Sequence, residues 1–159
     1  MQKRFLTVLV LIAALSLSSF AQHKKPAKAA PAGPLPDKAY LQKIWDGWAG
    51  LDASKQAQYY AQGDHTFFDL APLKYNNWDE YQKGVVPLLS NLKTAKLTLN
   101  DDLQIHAAGE YAWCTSTVKE DAVTKAGKHE MAQMRWTAVF EKQDGKWLIV
   151  HEHVSEPLQ

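Results

Sequence analysis

One cysteine, Cys114, stands in 159 residues, so the chain can close no internal disulfide and can build no thiolate metal cluster. Nothing near Cys114 in sequence would lower its pKa, and it reads as a small buried hydrophobe in a strand. The chain has no P-loop, no dinucleotide fingerprint and no Ser-His-Asp order, which removes the NTPase, Rossmann and serine-hydrolase readings. An excess of one charge is missing too. Lys and Arg number 18 against 17 Asp and Glu, a net charge of +1, whereas a nucleic-acid footprint needs a strongly basic face. Beyond the N-terminus no apolar run is long enough to span a bilayer, and there is no internal repeat and no second domain boundary.

What is present begins with an export signal. Lys3 and Arg4 precede an apolar run from Phe5 to Leu15 broken only by Thr7, and small and polar residues follow, with Ser19 and Ala21 at the positions a signal peptidase reads. Residues 1–21 are therefore expected to be a signal peptide cleaved before Gln22, leaving a periplasmic or secreted protein with no membrane contact. No cysteine adjoins the cleavage site, so a lipid anchor is not expected. Residues 22–36, rich in Pro, Ala and Lys, hold Leu35 as their one large apolar side chain and read as a flexible tether.

From Asp37 roughly 120 residues remain, enough for one domain with a single core. Leu41, Ile44, Trp45, Trp48 and Ala49 recur at the spacing of one helical face, with Asp37 as the cap. A short second helix is expected over Ala53 to Tyr60, and a strand over His65 to Leu70. Asn77, with Glu80 three residues on, starts a third helix whose apolar stripe runs to Leu92 and in which Pro87 predicts a break. After Lys93 the pattern is strand. Asp101-Asp102 and Lys125-Ala-Gly127 read as turns or bulges, and Asp144-Gly145 as a tight hairpin pairing His129–Lys142 with Trp147–Val154. Helices followed by long antiparallel strands make an α+β domain in which the helices cover one face of a curved sheet.

This order, together with the closing hairpin from Asp144 to Pro157, resembles the NTF2-like superfamily, and within it the SnoaL-like branch that is also similar to the association domain of calcium/calmodulin-dependent kinase II. The letters that carry the likeness are Gly145, Lys146, Trp147, Val150, His151, His153 and Ser155, preceded by Arg135 and Thr137. The resemblance covers residues 37–157. It implies a cone in which N-terminal helices pack in a curved antiparallel sheet, open at one end, and a homodimer formed through the outer sheet face.

The superfamily includes ketosteroid isomerase, whose base is an Asp on the first strand, and the resemblance puts Asp69 at about that place. A carboxylate in an apolar pocket would have a raised pKa and could move a proton beside a carbonyl. The helix position that should supply the isomerase's tyrosine electrophile falls near Ile44 or Trp45, so that mechanism lacks its oxyanion partner. Asp69 reads equally as a residue closing its strand before Pro72.

Strand alternation puts His151 and His153 on one face with Trp147 and Ile149, and gives Arg135 and Thr137 one parity on the partner strand. Two placements stay open. These side chains converge on a polar site in the pocket, or they face outward toward a second subunit, because parity fixes who shares a face but not where it points. A third option makes His151 and His153 metal ligands completed by His106, His129 or Glu130; with no defined spacing for the third ligand, no metal or cofactor is assigned.

Catalytic candidates are thus Asp69, His151 and His153, and ligand-binding candidates are Arg135, Thr137, Trp113, Tyr59 and Trp48. The expected function is binding of a small apolar or anionic ligand in the pocket. The alternatives are a proton-transfer enzyme (isomerase, cyclase or dehydratase) and a homo-oligomeric assembly module.

Overall fold

The computed structural model describes residues 34–158; the expected leader and the tether as far as residue 33 lie outside them. Helix α1 (Lys38–Ala49) starts where expected, because the Asp37 carboxylate accepts from the Tyr40 N–H at 2.8 Å and so satisfies a free N-terminal donor. Its buried face is Leu41, Ile44, Trp45 and Trp48. A 3-10 helix follows over Ala53–Tyr59, and the expected 65–70 strand shrinks to β1, Phe67–Phe68.

The third predicted helix is two. Helix α2 (Trp78–Gly84) is capped by Asn77, whose side chain accepts from Glu80 N, and it ends at Val85; α3 (Val86–Asn91) carries Pro87 in its first turn, where a missing N–H costs nothing. Strands β2 (Leu92–Leu99), β3 (Gln104–Ala108), β4 (Tyr111–Thr124), β5 (His129–Gln143) and β6 (Lys146–Ser155) complete the chain. Asp144 and Gly145 have φ of 49° and 79°, the left-handed pair that joins two strands with a matching twist.

The sheet runs β1-β6-β5-β4-β2, with β3 also on β4. All pairs are antiparallel except β1 with β6, which are parallel, Phe67 opposite Glu152. Helix α1 lies against edge strand β2 and satisfies part of its free backbone. Gln42 Nε2 donates to Leu97 O at 2.8 Å, and Leu99 N donates to Gln42 Oε1 at 2.9 Å.

The core is unusually aromatic. Tyr60 stacks on Trp78 with ring centroids 4.4 Å apart, Phe67 on Tyr81 at 5.3 Å, and Trp45 meets Trp136 edge-on at 5.4 Å. Each such ring removes a large apolar area from water, worth about 1.5–3 kcal/mol when fully buried.

One irregularity positions the site. Phe140 pairs with Ile149 but Val139 pairs with His151, so Val150 is an extra residue on β6. A bulge of one residue exchanges the faces of everything beyond it. Before it Trp147 and Ile149 are buried; after it Glu152 and Val154 are buried, while His153 is exposed. The expectation that His151 and His153 share a face with Trp147 and Ile149 is corrected on this ground. The chain at Tyr60 and Ala61 meets β6 at the same place, Ala61 N donating to Ile149 O at 2.9 Å.

Candidate functional site

Between α1, α2, α3 and the concave sheet face lies a cavity of about 270 Å³. Trp45, Trp48, Val85, Leu89, Leu97 and Met134 are among its apolar walls, and its polar lining is mostly acidic: Asp69, Glu120, Glu130 and Glu152. Among the described residues no Lys, Arg or His lines it.

Glu152 is the innermost of these carboxylates, 2% exposed. Tyr60 Oη donates to its Oε2 at 2.9 Å and Tyr81 Oη to its Oε1 at 2.8 Å, while Trp48 Nε1 donates to Tyr60 Oη at 3.1 Å. A buried carboxyl is tolerated only with such donors. Burial pushes its pKa up to about 7; the Tyr81 and Tyr60 hydrogen bonds oppose that rise and the negative charge of Asp69 adds to it. The neighbouring Trp136 N–H favours the charged form a little, although it does not reach hydrogen-bond geometry and is left buried without a partner.

Both phenols are themselves raised well above 10, first by burial and next by the Glu152 charge, so they are donors at every physiological pH. Asp69, half-buried at the cavity's edge, also has a raised pKa; burial is the main cause and a 2.8 Å bond from Leu70 N opposes it. Glu120 at the mouth is raised by burial and by Glu156 and Glu130. Glu130 pairs with Lys128 at 2.8 Å.

Two residues expected in the site line this cavity, Asp69 and Trp48. Four others do come together, but on the outer face of the sheet. Thr137 pairs with His153, Val139 with His151 and Arg135 with Ser155, and Arg135 is exposed while its neighbour Trp136 is buried. His151 Nδ1 lies 2.7 Å from Thr66 O; a carbonyl only accepts, so that nitrogen carries the proton. Phe68 stands edge-on to both imidazoles, at 5.5 and 5.8 Å.

Trp113 is on the outer face as well, 38% exposed and stacked on His106 at 5.3 Å. Tyr59 packs edge-on against Tyr40 at 5.9 Å, away from the cavity lining. Among the described residues no group of three His, Cys, Asp or Glu side chains gathers as a metal site would require, and no helix is long and apolar enough to cross a membrane. Glu152, Tyr60, Tyr81 and Glu120 escape the sequence reading. A signal for Glu152 exists in the apolar parity of β6, which is odd at Trp147 and Ile149 and even at Val154, although Leu148 and Val150 blur it.

A bent six-stranded sheet closing over N-terminal helices, with a cavity between the two layers, defines the NTF2-like cone. More narrowly, the chain belongs to the SnoaL-like domain family, whose model matches residues 39–159. Among solved structures it is similar to an NTF2-like superfamily protein of Salmonella enterica, with 18% identity over 77% of this chain and 92% of that one and a TM-score of 0.67. A candidate dehydratase of the NTF2-like family from Streptomyces avermitilis shares 13% identity over 79% and 100% of the two chains, TM-score 0.66. The association domain of C. elegans calcium/calmodulin-dependent kinase II shares 16% over 74% and 90%, TM-score 0.60. At these identities the likeness is one of fold. No curated protein matches the chain.

Proposed function

We propose that this is an exported SnoaL-like domain protein that binds a small, mainly apolar molecule in the cavity between its helices and its sheet. The observation that carries the reading is the cavity with Glu152 as its one deeply buried charged side chain, among apolar and aromatic walls. Its volume of about 270 Å³ falls just under the ~300–1,000 Å³ usual for drug-sized ligands, so the ligand is fragment-sized. Export rests on the Met1–Ala21 pattern and is tested by the mass of the exported product, expected to begin at Gln22.

A thermal-shift screen of small aromatic and alicyclic compounds tests the binding reading. Compounds that raise the Tm of the wild type should lose their effect in Leu89→Trp, which fills the cavity from α3. Hits that persist in that variant would move the ligand elsewhere.

A second reading, a proton-transfer enzyme, is favoured by one observation: two carboxyls, Asp69 and Glu152, share the cavity with raised pKa values, and the charge of Asp69 contributes to the rise at Glu152. Such a pair can hold one proton near neutral pH, one group acting as acid while the other acts as base. Turnover of a cavity-binding carbonyl or alcohol compound that is abolished in both Asp69→Asn and Glu152→Gln would establish it. The outer face, where Trp113, Tyr111 and Arg135 are all exposed, is the surface for a homodimer. Sedimentation of Trp113→Glu against wild type tests that assignment.

A further inference from the structure

The expectation of an anionic ligand conflicts with the charges that line the cavity. Among the described residues Asp69, Glu120 and Glu152 face the space with no basic side chain lining it, and of the four lining carboxylates only Glu130 has a cationic partner there, Lys128. An anion entering this space would lose its hydration against like charges in an environment where water screens poorly. A cation meets the opposite situation. The acidic groups stand beside the indoles of Trp45 and Trp48 and the ring of Tyr81, and an aromatic face attracts an ammonium group independently of any carboxylate.

The two features complement one another, since the carboxylates supply charge-assisted hydrogen bonds and the rings receive both the N–CH₂ region and the apolar body.

From this geometry we infer that the cavity takes a small apolar primary amine in its ammonium form, the nitrogen held by Asp69 and Glu152 and the body against Trp45 and Trp48. The inference rests on the binding function proposed above and sets the charge of the ligand. It carries a proton-linkage consequence. Glu152, with its pKa up at about 7, must be ionised to hold an ammonium group, so binding near neutral pH expels a proton from the carboxyl.

Three compounds of one skeleton separate the possibilities: phenethylamine, phenethyl alcohol and phenylacetate, titrated calorimetrically into the purified protein at pH 7 in two buffers of different ionisation enthalpy. The amine is expected to bind at least tenfold more tightly than the alcohol, phenylacetate not at all, and the amine's apparent enthalpy should differ between buffers by the proton released. Asp69→Asn and Glu152→Gln should each cost the amine tenfold or more and cost the uncharged alcohol less. Asp69→Asn, at the cavity's edge, keeps the test meaningful if the buried variant folds poorly.

Phenylacetate or the alcohol binding as well as the amine would overturn the charge assignment while leaving the cavity as a binding site. Failure of all three to bind would overturn both. Amine binding that both variants leave intact, or that Leu89→Trp leaves intact, would place the amine outside this cavity and overturn the inference.

Discussion

Ile149 and Glu152 face the same side of β6 although they stand three positions apart, because Val150 bulges out between them. In an unbroken strand residues of opposite parity lie on opposite faces. The bulge therefore turns a glutamate that alternation would place in solvent into the floor of a cavity, and turns two histidines outward.

The ionisation of Glu152 predicts a pH dependence of stability. Its carboxyl sits at about 7 in the fold against 4.5 ordinarily. Below 4.5 both folded and unfolded states hold the proton; between 4.5 and 7 the unfolded state releases it first, so stability falls as pH rises and the loss is complete above 7. At about 1.4 kcal/mol for each pH unit the penalty is roughly 3 kcal/mol. Glu152→Gln should lack this decline, so urea unfolding at pH 4.5, 6 and 8 should show the variant gaining on the wild type with pH. A gap between the two proteins that stays constant across the series would mean that the fold does not raise the Glu152 pKa above its ordinary value, and a gap still widening above pH 7 would mean that it raises it further.

Tyr81→Phe removes the donor to Glu152 Oε1 and leaves Tyr60 in place. The expected cost is about 1–3 kcal/mol, with the larger value at pH 8, where the carboxylate is charged and needs the donor most. Chemical denaturation at pH 5 and pH 8 reads the difference directly. An equal cost at both values would assign the hydroxyl's contribution to packing.

Gly84, near the end of α2, lies so close to the Tyr75 ring that a Cβ there would run into it. Tyr75 is buried, stacked on Tyr81 at 4.9 Å, and held by a 2.8 Å bond from its Oη to Ala71 O, so the ring cannot swing aside. Gly84→Ala, which on helix propensity alone would stabilise, should instead lower stability by about 1–3 kcal/mol through overpacking. A rise in Tm would show that the ring yields.

Cys114 is buried in β4 and burial pushes its thiol up to about 12. It should resist an aromatic disulfide reagent in the native protein at pH 8 and react at once in denaturant, since the thiolate is the reactive form. Reaction of the native thiol on the time scale of a free cysteine would contradict this placement.

Local physics made most of the fold legible. The Asp37 cap, the helical spacing of Leu41, Ile44, Trp45 and Trp48, the break before Pro87 and the Asp144-Gly145 turn each act within a few residues, so neighbouring letters suffice to read them. The expected strand at His65–Leu70 fared worse. Two residues of it pair, and their partner is β6, distant in sequence, so neighbouring letters do not set the strand's length.

The site divides along the same line. Asp69 is legible as a pocket candidate from its place in the resemblance, whereas helical periodicity puts Trp48 on the buried face of α1 and does not separate a core residue from a cavity wall. Arg135, Thr137, His151 and His153 are legible as neighbours, since strand pairing follows from the hairpin turn, but parity leaves open which way their face points.

By itself, then, the sequence determined the order of elements, their capping and turns, and which residues neighbour one another along each strand, because these depend on short-range backbone and side-chain chemistry. Only the tertiary structure decided which face is inside. That choice turns on a one-residue bulge at Val150, where β6 meets the chain at Tyr60 and Ala61, and it placed Glu152 between the hydroxyls of Tyr60 and Tyr81, residues 92 and 71 positions away in sequence. Periodicity cannot encode such a long-range coincidence.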